Sequence, residues 1–188
     1  MLNMLIEVRF HGRGGQGVVT AADFLAVAGF KEGYYTLSFP TFGAEKRGTP
    51  VASFLRISDE PIVVRDEIYQ PDYVVVLDPS LFESVNVTSG LKSDGMLIAN
   101  YPKGPEELKA KANIKSKVAT INATKLAIEI LGRPITNTAM VGAFAGATGI
   151  LKLETLKKTV EEFFKGALIE KNKLIIEQAY NQMREVCR

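Results

Sequence analysis

Met4-Leu-Ile-Glu-Val-Arg-Phe10, then His11-Gly12-Arg13-Gly14-Gly15-Gln16-Gly17, then Val18-Val-Thr-Ala-Ala-Asp-Phe-Leu-Ala-Val-Ala28 is the stretch that decides the fold. The first run is rich in strand formers. In the last, Val18, Ala22, Leu25 and Ala28 recur at three- and four-residue spacing, which predicts a helix, with Gly29 near its end as the expected cap. A second strand is expected over 34–39, Tyr-Tyr-Thr-Leu-Ser-Phe. Strand, glycine turn, helix and strand make a βαβ unit, whose crossover implies a parallel sheet.

Working outward, the pattern repeats. Residues 40–50 form a loop bounded by prolines, Val51–Ile57 alternates as a strand, and 62–64 suggests a short one. Tyr73-Val-Val-Val-Leu77 is apolar on both faces, as a central parallel strand requires. Asp78-Pro79-Ser80 closes it and suits the start of a short helix. Further strands are expected at 95–100 and 117–121, and helices from Pro105 and over 122–131. Asn137–Thr148 is a helix of mostly small side chains, with Gly142 and Gly146 on one face. Glu154–Val186 is helical, divided at Gly166. The expected fold is α/β: one domain over residues 1–188, a Rossmann-like three-layer sandwich with a mostly parallel sheet and C-terminal helices.

Composition narrows the function. The 188 residues are 46% hydrophobic and 23% charged, with 23 Lys+Arg against 21 Asp+Glu. A net charge of +2 gives no footprint of a nucleic-acid binder. No apolar run approaches the roughly 20 residues that span a bilayer, so a cytoplasmic location without membrane contact is expected. The single Cys187 and single His11 supply neither a four-Cys cluster nor a zinc site, so no metal is expected on this chain.

Gly12, Gly14 and Gly17 fit G-x-G-x-x-G after a strand and before a helix. Glycine permits positive φ and close approach of a ligand to the backbone. The helix N-terminus offers unpaired N–H groups and partial positive charge to a phosphate, and Arg13 can add its guanidinium. The plain alternative is a tight turn that only lets helix and sheet pack. A dinucleotide fingerprint also wants a carboxylate at the end of the second strand, and Leu37-Ser38-Phe39-Pro40 has none, which weakens an NAD reading. Lys46 and Arg47 follow that strand, at the sheet edge where ligands of open α/β folds sit, and either meet the same anion or form an exposed charged loop. His11 is a proton carrier, a phosphate donor or simply a polar strand end; no Ser, Cys or Asp at a recognisable spacing makes it part of a triad. Cys187 reads as a terminal residue rather than a nucleophile.

Three segments carry a resemblance: Phe10–Gly17, Ser38-Phe-Pro-Thr-Phe-Gly-Ala-Glu-Lys-Arg-Gly48 and Asn137-Thr-Ala-Met-Val-Gly142. They resemble the gamma subunit of 2-oxoacid:ferredoxin oxidoreductases, most of all the pyruvate-specific, four-subunit bacterial and archaeal type. The likeness spans nearly the whole chain, with Thr49 a departure where many relatives have glycine. The resemblance implies the reaction of pyruvate, coenzyme A and oxidised ferredoxin to acetyl-CoA, CO₂ and reduced ferredoxin, carried out with alpha, beta and delta subunits as partners. It implies that thiamine diphosphate, Mg²⁺ and [4Fe–4S] clusters belong to those partners. This chain then holds no cofactor alone, is inactive alone, and contributes to coenzyme A binding and assembly. The implied ligand-binding residues are Gly12, Arg13, Gly14, Gly15, Gln16, Gly17, Lys46, Arg47 and Asn137. Asn137 is either a donor to the ligand or a helix N-cap. Two other readings are a free-standing NAD(P)-dependent oxidoreductase and a purely structural subunit.

Overall fold

The structure, a computed structural model, describes residues 4–41 and 47–187. Six strands form one sheet: β1 (Leu5–Arg13), β2 (Tyr35–Pro40), β3 (Pro50–Ser58), β4 (Tyr73–Val76), β5 (Met96–Asn100) and β6 (Lys117–Ile121), in the order β2-β3-β1-β4-β5-β6. β1, β4, β5 and β6 are parallel neighbours, whereas β3 runs antiparallel to both β1 and β2. The sheet is thus mostly parallel, as expected, but the opening βαβ unit differs in detail. Its two strands run the same way without touching, because β3 is inserted between them, Phe10 lying opposite Ser53 and Ser53 opposite Pro40.

The helices are α1 (Val18–Lys31), α2 (Pro105–Ala112), α3 (Ala123–Leu131), α4 (Asn137–Thr148), α5 (Leu153–Phe163) and α6 (Leu168–Val186), with a 3₁₀ turn at Pro79–Glu83. One sheet face carries a large apolar core shared with α1, α3, α4, α5 and α6. The other carries a smaller core beneath α2 and the 3₁₀ turn. β4 shows why both layers are needed: Val74 and Val76 enter the smaller core, Val75 and Leu77 the larger, and all four are buried. Each such valine is worth about 1.5–3 kcal/mol of burial.

β1 is two-faced. Val8 and Phe10 point into the large core, where Phe10 meets the Phe144 ring at 6.4 Å. Glu7 and Arg9 belong to the opposite row, which pleating turns to the other face. There the segment after β3 and the one after the 3₁₀ turn cover the sheet with polar contacts. Arg9 donates to the carbonyls of Ile68, Val87 and Ser89, and Arg56 pairs with Glu7 at 2.9 Å while donating to Val64 O. The strand expected at 62–64 is instead part of this irregular cover, with Val63 86% exposed.

Local expectations fare well elsewhere. Gly29 proves to lie inside α1, where it clears space for Thr36 of β2, and the turn past the helix falls at Gly33, at φ +90°. Beyond Asn137 and Thr138, α4 is apolar on every face up to Gly146, and its first ten residues are all buried, as such a helix must be. Its Gly142 and Gly146 rest on the backbone of Ile176 and Tyr180 of α6, leaving no room for a Cβ. Gly166, at φ +59°, lies between α5 and α6 as expected.

Candidate functional site

β1 sends its crossover through α1 to one side of the sheet, and β4 sends its connection to β5 on the other side. The carboxyl ends of β1 and β4 are therefore the point where strand order reverses, and open α/β sheets bind ligands at that point. Residues 12–17 sit there. The turn is held tightly. Gln16 N–H donates to Arg13 O at 3.0 Å, and the Gln16 side chain accepts from Arg13 N–H at 2.7 Å while donating to Asp78 Oδ2 at 2.6 Å. A Cβ on Gly12 would stand 2.5 Å from Val18 Cγ2, and Gly15 and Gly17 have φ of +92° and +75°. Gly17 is the N-cap of α1, and no side chain caps that end. The tip is open: Gly15 is exposed, and Gln16 and Gly17 are partly so.

The second motif meets the first. Gly14 N–H donates to Thr49 O at 2.9 Å, and Gly48 N–H returns to Gly14 O at 3.1 Å. This two-way backbone link needs no particular side chain at Thr49. Arg47 is exposed. It has no ion pair among the described residues. Lys46 lies outside the described residues. Arg13 reaches across rather than outward: its guanidinium donates to Gly48 O at 3.0 Å and to Ser80 Oγ at 2.9 and 3.1 Å, and lies 3.5 Å from Asp78. Burial raises the Asp78 pKa, but hydrogen bonds from Ser80 and Gln16 and the charge of Arg13 outweigh it and hold the carboxyl below its usual range. Arg13 is thus a clip between glycine turn, loop and 3₁₀ turn, and its charge is already countered.

The third motif also arrives here. Thr136 is the cap position of α4 and Asn137 the first helical residue. A Cβ on Gly17 would fall 2.6 Å from Asn137 Nδ2, so only glycine admits this contact. Asn137 is 7% exposed, and its Oδ1 accepts from Thr138 N–H. Nδ2 donates no hydrogen bond among the described residues. The N-termini of α1 and α4 therefore converge on one point.

Asp78 and Ser80 were not among the expected site residues. The signal for them was their position just past a central strand, on the edge that already carried the glycine turn. Together with Gln16, Asn100, Thr124 and Thr136, Asp78 lines a cleft of about 270 Å³ at the strand-order reversal. Its only charged lining residue is a carboxylate, so the anion-attracting side of the turn is that of Arg47 and Asn137.

His11 lies inside β1, not at the turn. Its Nε2 accepts from Arg9 Nε at 3.0 Å, and burial, then the Arg9 charge, pushes its pKa down to about 4. It is a neutral acceptor rather than a phosphate donor. Cys187, half-buried against the large core, has its thiol pKa raised by burial, which opposes nucleophilic use. No group of three or more metal-ligating side chains lies among the described residues, nor does any helix long and apolar enough to cross a membrane.

A sequence model of the family described as pyruvate ferredoxin/flavodoxin oxidoreductase matches residues 7–182. The chain is 55% identical over 179 residues to the common gamma subunit of the pyruvate/ketoisovalerate oxidoreductases of Thermococcus kodakarensis, covering 95% of this chain and 97% of that one. Among solved structures, it is similar to the pyruvate oxidoreductase subunit PORC of Thermotoga maritima, at TM-score 0.84 and 35% identity, covering 94% and 96% of the two chains. It shares a fold, at TM-score 0.77 and 21% identity, with the 2-oxoglutarate:ferredoxin oxidoreductase of Magnetococcus marinus, solved with 2-oxoglutarate, coenzyme A and succinyl-CoA bound, where it covers 97% of this chain and 31% of that one.

Proposed function

The chain belongs to the pyruvate ferredoxin/flavodoxin oxidoreductase family, as a subunit of a multi-subunit enzyme, and from that premise we propose that it positions coenzyme A for thioester formation in a partner subunit. The observation that carries this reading is the convergence of three separate segments on one open point. Residues 12–17, the Arg47–Thr49 segment and Asn137 are tied together by backbone hydrogen bonds and by the Gly17–Asn137 contact. Two helix N-termini and Arg47, without an ion pair among the described residues, give that point the field a phosphate needs.

Coenzyme A carries a pyrophosphate and a ribose phosphate at one end and its thiol at the other. In this reading the phosphorylated end is gripped by the turn, and the pantetheine arm extends to the reacting carbon on thiamine diphosphate in the alpha and beta subunits. The clusters that would pass electrons to ferredoxin would belong to a delta subunit. This chain's single Cys fits that division, since four thiolates are wanted per cluster. Holding both reactants in register removes part of the entropic barrier, so this chain needs no proton-transfer residue of its own. Gln16 and Asp78 orient the turn, Arg13 fastens the Gly48 loop to it, and Arg47 supplies the free charge.

The test uses the assembled complex. Arg47→Ala removes one charge-assisted contact and raises the coenzyme A KM about tenfold, equivalent to about 1.4 kcal/mol. Gly17→Ala, which drives a methyl into Asn137, raises it further. Unchanged KM in both variants removes the turn from coenzyme A binding.

A further inference from the structure

Asn137 borders a second feature. Between the C-terminus of α3, the N-terminus of α4 and the α5–α6 turn lies a groove of about 320 Å³. Leu131, Ile135, Phe164 and Leu168 form its apolar walls, Arg133 stands on its rim, and Asn137 lines it on the side toward the glycine turn. The geometry points to this groove as the seat of the adenosine 3′-phosphate of coenzyme A: the purine against Phe164 and its aliphatic neighbours, the 3′-phosphate on Arg133, and the Nδ2 of Asn137 donating where groove and turn meet. This assignment rests on the reading above, that the turn holds the pyrophosphate.

Four observations carry it. First, the volume lies at the lower end of ligand pockets, about 300 Å³ and up, the size that suits a nucleoside rather than a whole coenzyme. Second, the walls are apolar and include one aromatic ring, as a planar heterocycle requires. Third, Arg133 is exposed with no carboxylate partner among the described residues, unlike Arg13 and Arg56, which are both paired. Fourth, Asn137 spends its Oδ1 on Thr138 N–H and leaves its Nδ2 accessible and without a partner among the described residues, whereas the neighbouring Asn172 spends both amide atoms on Thr138 and Leu168. An accessible amide with both donors free can offer them to a ligand seated at the groove. Asn137 is also held rigidly, because α4 is seated on the α6 backbone at Gly142 and Gly146. One side chain thus joins a phosphate-binding turn to a ring-sized groove, the layout a nucleotide with phosphates at both ends demands.

The experiment compares coenzyme A with 3′-dephospho-coenzyme A as substrates of the assembled complex. Arg133→Ala raises the KM for coenzyme A five- to tenfold and abolishes its advantage over the dephospho form. Leu168→Trp, at a position 50% exposed and able to accept a larger side chain, fills the groove and raises the KM for both. If Arg133→Ala leaves the discrimination intact, or Leu168→Trp leaves both KM values unchanged while Arg47→Ala raises them, the turn keeps its role and the groove assignment falls. If Arg47→Ala, Gly17→Ala and the groove variants are all without effect, the turn reading falls as well. If Leu168→Trp instead releases this chain from the complex on gel filtration, the groove is a subunit contact and the assignment is overturned.

Discussion

The part-buried His11–Arg9 pair makes stability depend on pH between the imidazole's ordinary range and about 4. In the unfolded chain the imidazole takes up a proton near 6.5, whereas in the fold burial and the adjacent guanidinium hold it neutral down to about 4. Protonation therefore favours the unfolded chain. The contribution is fully present above pH 6.5, is lost as pH falls from 6.5 to about 4, and changes no further below that. At about 1.4 kcal/mol per pH unit the loss by pH 4 is about 3 kcal/mol. The perturbation is His11→Gln, which keeps an oxygen to accept from Arg9 Nε, now made by His11 Nε2 at 3.0 Å, but has no proton to gain. The assay is urea unfolding of both proteins at half-unit steps from pH 7.5 to pH 4. Asp78, whose carboxyl is held below the usual carboxylate range, contributes stability above that range and loses it only at lower pH, outside the window. The difference between the two stability curves should therefore close or invert by about 3 kcal/mol on going from pH 7 to pH 4. Curves that stay parallel would refute a His11 held neutral by the fold.

Two further outcomes follow from packing and charge. Gly146→Ala pushes a methyl into the Tyr180 carbonyl and should cost roughly 2 kcal/mol, a fall in Tm of about 6 °C by calorimetry, while the unhindered Gly104→Ala stays within about 1 °C. Glu7→Ala strands the Arg56 guanidinium, which is 2% exposed, and should cost about 3 kcal/mol in urea unfolding, with Glu7→Ala/Arg56→Met recovering part of it.

Much of the fold was legible because local constraints leave local marks. The alternation of strand and helix, the doubly apolar Tyr73–Leu77 run and the small residues of α4 each matched the burial they later showed. The glycine turn and the Arg47–Gly48 segment were recognisable as motifs, and their meeting was expected from the sheet edge both occupy. One expectation went astray because of a long-range contact. The residues at 62–64 are apolar, yet they lie in a cover held by hydrogen bonds from the side chain of Arg56, a long-range contact that period counting does not register. The partners of Arg13, Ser80 and Asp78, likewise lie more than sixty residues along, where no local pattern shows them.

From the order of its residues alone, this chain specified a parallel-rich α/β fold, a turn that only glycine can build before the first helix, and membership of a 2-oxoacid oxidoreductase family. Those properties reside in backbone torsion, side-chain size and periodicity, which are written residue by residue. The sheet order was settled only by the assembled molecule: β3 slips between β1 and β2, and the strand-order reversal then falls beside the turn. So was the meeting of Asn137 with Gly17 across more than a hundred residues of chain. Strand pairing joins backbones that are alike at every position, so local sequence says that a strand exists and not which edge it will find; that choice belongs to the packing of the whole core.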